Sequence, residues 1–430
     1  MYHPTLRLSA QHQLKKIGRA DLVIGLPTYK NAKSAAHVAQ IALEGLKQHY
    51  PDLSTALINA DAGLKAATRQ AVKAQTPQNG SNLSVVTGRY DGTLGQGNAV
   101  ASLLDAALAL DAKAILILDS NTQTITPDWI AGLAHLILEN KADLVLPRYQ
   151  WSFTSPASGL SDLIAYPLFR ALWGRSLRHP AAPDFALSSK LAIAVLDADI
   201  WETEAAVSGF SPWLATYSVL GNWRVAQAAL GEKCTHPLRK RSKQSQKVTR
   251  QFKTYFHDVV SVMFRQLYLH EDKWRDVEAF YSLSTLTEFA SKTKVYTPHE
   301  QNPTALLDEL ALGWIEYRML WQTILTSENL RQLESLAALP PDQFYFPSDL
   351  WGRVLYDFAV VFNKGDCDPY QLVYSLFPIY RARLAAFWQE IAGLSLVGSE
   401  GTVAAQAVEL EELRSYLKVR WHTYQPRNRN

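Results

Sequence analysis

Two acidic positions in this chain close apolar runs, and chemistry is expected there first. Ala114 to Leu118 (AILIL) passes directly into Asp119-Ser120-Asn121, and Leu53 to Asn59 (LSTALIN) passes into Ala60-Asp61-Ala62-Gly63. A polar cluster at the carboxyl end of a buried parallel strand lies where open α/β sheets bind ligands, and a carboxylate after the second strand commonly reads a base or ribose. Each feature also has a plainer reading. Asp119 and Asn121 suit a strand-end turn that caps the next helix, and Asp61 suits a turn ahead of Gly63. Gly95-Gln96-Gly97 is a weak signal by itself, because glycine pairs also mark ordinary turns.

The elements that must position these residues follow from periodicity. Asp21 to Leu26 (DLVIGL) reads as a strand ended by Pro27, and Ala32 to Tyr50 as a helix with Ala35, Val38, Ala42, Leu46 and His49 on one face. Leu53 to Asn59, Leu83 to Val86, Ala114 to Leu118 and Asp143 to Tyr149 read as further strands. Helices are expected over Val100 to Leu110 and over Ile125 to Leu138, the latter opened by Thr126-Pro127-Asp128. This alternation predicts a mostly parallel twisted sheet with helices on both faces.

Beyond Trp151 the pattern turns irregular and rich in aromatic residues and proline as far as His236. Arg239 to Lys253 then holds seven Lys or Arg and no acidic residue. A solvated linker is expected there, with contact to an anionic lipid surface as the alternative. Phe252 to Tyr268, Ala305 to Thr323, Leu350 to Phe362, Tyr370 to Ile391 and Val403 to Tyr416 all fit helices, with no internal repeat. The expected division is an N-terminal extension (1–20), an α/β half (21–150), a loop-rich half (151–238), a basic linker (239–253) and a helical domain (254–430).

Composition narrows the class. A chain of 430 residues, 47% hydrophobic and 19% charged, is globular and long enough for two or three domains. Its formal charge of +3 gives no electrostatic case for nucleic acid as a partner. Cys234 and Cys367 stand alone without CxxC spacing, which argues against a disulfide framework or a zinc site and for a reducing, cytoplasmic location. Met1 to Arg19 has no continuous apolar stretch, so no secretory signal is expected. No transmembrane run of about 18 apolar residues occurs.

Ordered blocks from Asp21 to His236 resemble GT-A nucleotide-sugar glycosyltransferases. Gly25-Leu26-Pro27-Thr28-Tyr29-Lys30-Asn31 and Leu57 to Gly63 look like the loops that hold the nucleotide base. Gly95-Gln96-Gly97-Asn98-Ala99, Leu118-Asp119-Ser120-Asn121, Ile125 to Ile130 and Tyr166 to Gly174 look like the retaining glucosyl-3-phosphoglycerate and mannosylglycerate synthase type. Pro180 to Phe185, Trp201-Glu202-Thr203 and Gly209 to Trp213 continue the series, and Leu350 to Ala359 resembles C-terminal extensions of bacterial members less specifically.

The resemblance implies a GT-A fold followed by an all-helical C-terminal region, and transfer of a hexose to a small hydroxyl acceptor of glycerate or phosphoglycerate type. It implies nucleotide-sugar contacts at Pro27, Thr28, Tyr29, Asn31, Asp61, Gly95, Gln96, Gly97 and Asn98. It further implies a divalent Mg²⁺ or Mn²⁺ at Asp119, Asn121 and His236, and an acceptor-facing Asp184. Trp151, Trp201 and Trp213 are candidates for stacking on sugar rings.

Departures from that family fall in one pocket. Asn121 stands where the family has a second carboxylate, Gln96 where it has a lysine facing the diphosphate, Ala182-Pro183 where it has two glycines, and Ser211 where it has an acid. A weakened metal site is expected. The alternative is a glycosyltransferase-like protein without transfer activity. It would act as a binding, regulatory or assembly component, its helical region offering a surface for a partner or for self-association.

Overall fold

The computed structural model describes residues 3–77, 82–151, 156–235, 242–277, 280–282 and 303–426. The strands in chain order are β1 (Leu22–Thr28), β2 (Thr55–Asp61), β3 (Leu83–Arg89), β4 (Ala114–Ile117), β5 (Leu144–Trp151), β6 (Arg175–Ser176), β7 (Phe185–Ser188), β8 (Val225–Lys233) and β9 (Tyr281–Ser282). All but β6 and β9 form one seven-stranded sheet in the order β3-β2-β1-β4-β7-β5-β8. Its pairings are parallel except those of β7, which runs antiparallel to both β4 and β5. The chain winds from β1 outward to β3, then returns to place β4 on the other side of β1. The crevice beyond the carboxyl ends of β1 and β4 is therefore the topological switch point, where open α/β sheets bind ligands.

The first five helices are α1 (Leu8–Ile17), α2 (Ala32–His49), α3 (Ala67–Lys73), α4 (Gln96–Leu108) and α5 (Asp128–Leu138), and helices cover both faces of this sheet. On one face α2 (Ala32–His49) and α5 (Asp128–Leu138) bury Val38, Leu46, Trp129 and Leu133 against Leu26, Leu116 and Val145. On the other lies α4 (Gln96–Leu108), packed so tightly on β1 that a Cβ at Gly25 would stand 2.7 Å from Ile117 and 3.0 Å from Leu103. Sandwiching from two sides is why β1, β2 and β4 read as unbroken apolar runs.

The amino ends of the strands are tied by charge. Asp21 accepts from the Ser54 hydroxyl at 2.6 Å and meets Lys113 Nζ at 3.1 Å, joining the starts of β1, β2 and β4. The Ser54 hydrogen bond and the Lys113 charge hold its carboxyl down at about 2. The N-terminal extension belongs to this unit. Its helix Leu8–Ile17 buries Ala10 and Leu14, and Leu6 bridges Tyr90.

By contacts the described residues form two compact units, those within 1–151 and 178–244, and those within 156–177, 245–282 and 303–426. Residues 156–177, read from sequence with the loop-rich half, thus cluster with the C-terminal helices. Trp351 Nε1 donates to the Leu163 carbonyl at 2.8 Å, and Arg170 pairs with Glu411. The basic stretch is not a linker throughout, because helix Ser242–Leu269 begins within it. Lys, Gln and Arg are good helix formers.

The second unit is helical, with main helices Pro303–Ile324, Ser327–Ala337, Ser348–Lys364, Pro369–Glu390, Leu396–Glu412 and Arg414–Thr423. The segment Leu350 to Ala359 is largely buried there, and Asp357 organises its neighbours. One carboxylate oxygen accepts from Tyr416 at 2.7 Å and Arg420 at 2.8 Å, the other from Asn329 at 2.8 Å and the Thr326 amide at 3.0 Å. Among the described residues, no helix is long and apolar enough to cross a membrane.

Candidate functional site

The switch point gathers most of the residues singled out from sequence. At the end of β1, Thr28 is buried, donates to Asp61 Oδ1 at 3.2 Å and accepts from Asn59 Nδ2 at 2.8 Å. The Pro27 carbonyl accepts from the Ser120 hydroxyl at 2.6 Å, which bridges the ends of β1 and β4. Tyr29 is exposed beside Lys30, whose φ of 54° lies in the left-handed region uncommon for a residue with a Cβ. That turn delivers Asn31 to the start of α2. There its Oδ1 accepts from the Tyr29 amide at 3.1 Å, and its Nδ2 donates to Ser120 Oγ at 2.9 Å and Asn121 Oδ1 at 3.0 Å.

Asp61 is fully buried and held on every side. Oδ1 accepts from Thr28 and from the Gly63 amide at 3.0 Å, and Oδ2 meets Arg69 Nη1 at 2.6 Å. Its negative charge is thus neutralised within the chain.

Gly95 and Gly97 flank the start of α4, where their role is to let backbone approach backbone. A Cβ at Gly95 would stand 2.3 Å from the Ala206 carbonyl oxygen, and one at Gly97 2.3 Å from that of Ala205. The approaching strand of chain is the π-helical turn Ala205–Gly209. Gln96 is half-buried between the glycines, and Asn98 is buried with its Nδ2 on Thr93 Oγ1 at 2.8 Å.

At the end of β4 the side chains of Asp119 and Asn121 form an Asx-type turn. Asp119 Oδ1 accepts from the Asn121 amide at 2.9 Å and from Asn121 Nδ2 at 3.2 Å. Asn121 Oδ1 in turn accepts from Asn31 and, at 3.4 Å, from the Ser34 hydroxyl. The remaining Asp119 oxygen, Oδ2, faces a residue that sequence reasoning missed: Lys233, the last residue of β8.

Lys233 is the centre of the site. Its ammonium lies 2.5 Å from Asp184 Oδ2, 2.7 Å from Thr122 Oγ1 and 3.1 Å from Asp119 Oδ2, and its side chain is 1% exposed. Asp184 Oδ1 accepts from the Asp119 amide at 2.7 Å, and the Tyr149 hydroxyl donates to Oδ2. Burial disfavours a charged lysine, but the Asp119 and Asp184 carboxylates outweigh it and raise its affinity for the proton. Burial and the Asp184 charge push the Tyr149 phenol well up, so it stays a donor. His179 packs on Tyr149 with ring centres 5.2 Å apart and the planes tilted by 34°; burial, with the nearby Arg178 and Arg148 charges, holds its proton affinity well below the ordinary value.

The other predicted residues divide. Asp184 joins Asp119 through Lys233 and the Asp119 amide. Ser211 is buried in helix Phe210–Leu220. Trp201 stacks on Phe210, and Trp213 on Tyr217 at 4.8 Å, so both indoles are packed in an aromatic cluster of the core. His236 and the Trp151 side chain lie outside the described residues. Among the described residues, no group of three or more His, Cys, Asp or Glu side chains is placed to hold a metal.

No protein-family model matches this chain, and no curated protein matches it in sequence. Solved structures similar to it include glucosyl-3-phosphoglycerate synthase from Mycobacterium tuberculosis with phosphoglyceric acid, 18% identical over 59% of this chain and 83% of that one, TM-score 0.42. The same enzyme with Mn²⁺, UDP and glucosyl-3-phosphoglycerate is 19% identical over 59% and 83%, TM-score 0.41. With Mg²⁺ and UDP it is 18% identical over 61% and 85%, TM-score 0.40.

Proposed function

We propose that the α/β unit is a GT-A-type glycosyltransferase domain that takes a nucleotide sugar at the carboxyl ends of β1, β2 and β4. The observation that carries this reading is the convergence of Thr28, Asn31, Asp61 and the Asp119 to Asn121 turn on the switch point. In its fullest form a hexose passes with retention to a small hydroxyl acceptor of glycerate or phosphoglycerate type. The Pro27 to Asn31 loop, Asp61 and the Gly95 to Asn98 turn would hold the donor, Asp119, Asn121 and His236 a Mg²⁺ or Mn²⁺ ion, and Asp184 would face the acceptor.

A specific observation favours the second reading, a domain that binds a nucleotide sugar without transferring from it. The carboxylates that transfer would use are paired inside the chain, Asp61 with Arg69 and Asp184 and Asp119 with Lys233. A diphosphate leaves only when its charge is neutralised, and a cation already paired with two carboxylates is poorly placed for that work. The helical unit supports a role in assembly, since helix Pro303–Ile324 exposes Leu312, Ile315 and Met319 at helical spacing. Incubation with UDP-, GDP- and ADP-sugars and Mg²⁺ or Mn²⁺ separates the two. Release of free nucleotide supports transferase chemistry, calorimetric binding without release supports the second reading, and neither across the panel sinks both.

A further inference from the structure

We infer that the Lys233 ammonium takes the place of a divalent cation at the end of β4, so that ligand binding by this domain does not depend on metal. The inference rests on reading that end of the sheet as the nucleotide-sugar site. An ammonium has three N–H donors, and here three oxygens surround it, from Asp184, Thr122 and Asp119. The rings of Tyr149 and Trp129 lie 5.3 and 5.8 Å from it, a further favourable setting for a cation.

The lysine is also held in place from its backbone. Thr124 Oγ1 donates to the Glu232 carbonyl at 2.6 Å and accepts from the Cys234 amide at 2.9 Å, while the Gln123 amide donates to the Cys234 carbonyl at 2.8 Å. The loop that carries Asp119 and Asn121 is thereby stitched to both sides of Lys233.

The residues present do not fit a divalent ion in this arrangement. Mg²⁺ takes oxygens in near-octahedral geometry at about 2.0–2.1 Å. Asp119 Oδ1 is engaged by Asn121, Asp119 Oδ2 faces the ammonium, and Asn121 Oδ1 is engaged by Asn31 and Ser34. A second cation on Asp119 Oδ2 would stand beside the first and be repelled by it.

Manganese alone, without nucleotide, is the probe. Electron paramagnetic resonance of Mn²⁺ titrated with the full wild-type chain is expected to keep the free-ion signal, or to lose it equally in Asp119→Asn, which puts any such binding elsewhere. Loss of signal in wild type that Asp119→Asn restores overturns the inference. Lys233→Ala keeps both carboxylates and removes the cation that would repel the metal, so its affinity for Mn²⁺ should rise about 10-fold or more, with a higher melting temperature when Mn²⁺ is added. A folded Lys233→Ala chain that gains nothing overturns the inference as well. If that variant does not fold, the wild-type and Asp119→Asn comparison decides alone. Since no nucleotide is present, failure here indicts the cation assignment, whereas failure of nucleotide binding indicts the functional reading.

Discussion

Lys233 Nζ and Asp184 Oδ2 lie 2.5 Å apart with both side chains 1% exposed, and this pair joins the last residue of β8 to the residue that precedes β7. Removing one partner of a buried ion pair leaves an uncompensated charge, at a cost of about 3–5 kcal/mol. Lys233→Met and Asp184→Asn are each expected to destabilise the α/β unit on that scale in urea unfolding. The double variant should cost clearly less than the two together, since it removes both charges. Additive losses would mean that the two groups are not coupled.

The second prediction concerns Gly95 and Gly97. An added methyl at either site meets a main-chain oxygen at 2.3 Å, and backbone cannot yield as a side chain can. Gly95→Ala and Gly97→Ala should each lower the stability of the ligand-free protein by about 1–3 kcal/mol, read from urea midpoints. Unchanged stability would return these glycines to the role of admitting a ligand.

Acid stability supplies a third. Asp21 is held down at about 2, by the Ser54 hydroxyl first and then by Lys113. A depressed carboxyl contributes stability that is present above its unfolded value of about 3.9 and is lost as pH falls toward the folded value. Asp21→Asn should therefore lose stability at neutral pH and show a shallower decline between about pH 4 and 2. Thermal melts across that range check it, and an unchanged acid limb contradicts it.

In the helical unit, Asp357→Ala would leave Arg420, Asn329 and Tyr416 without their shared acceptor. A loss of about 3–5 kcal/mol is expected, seen as a lower melting temperature of the full chain. Asp357→Asn keeps an acceptor oxygen and should lose less. Equal losses would mean that the charge, not the hydrogen bonding, holds the hub.

Much of the α/β unit was legible because β1, β2 and β4 are buried on both faces and so read as unbroken apolar runs. Asp119 and Asp61 were found because such runs end in them. β8 was missed for a physical reason. Its Ala-rich sequence has low strand propensity, and Gly231, at φ 75°, marks a shift of register between Arg148 and Tyr149. Lys233, which directly follows Glu232 at the end of that run, was lost with it. The tight contact of Gly95 and Gly97 with Ala205 and Ala206 joins segments far apart in the chain, and no local pattern announces it. Asp184 was found, but its partner was not, so its pairing with Lys233 had to come from the structure.

Calorimetric titration of UDP-, GDP- and ADP-sugars into the wild-type chain, once in EDTA and once in Mn²⁺, asks whether binding at the ends of β1 and β4 needs a metal. At least one nucleotide sugar is expected to bind, and to bind equally in the two buffers. Binding that appears only with Mn²⁺ and disappears in Asp119→Asn would contradict it.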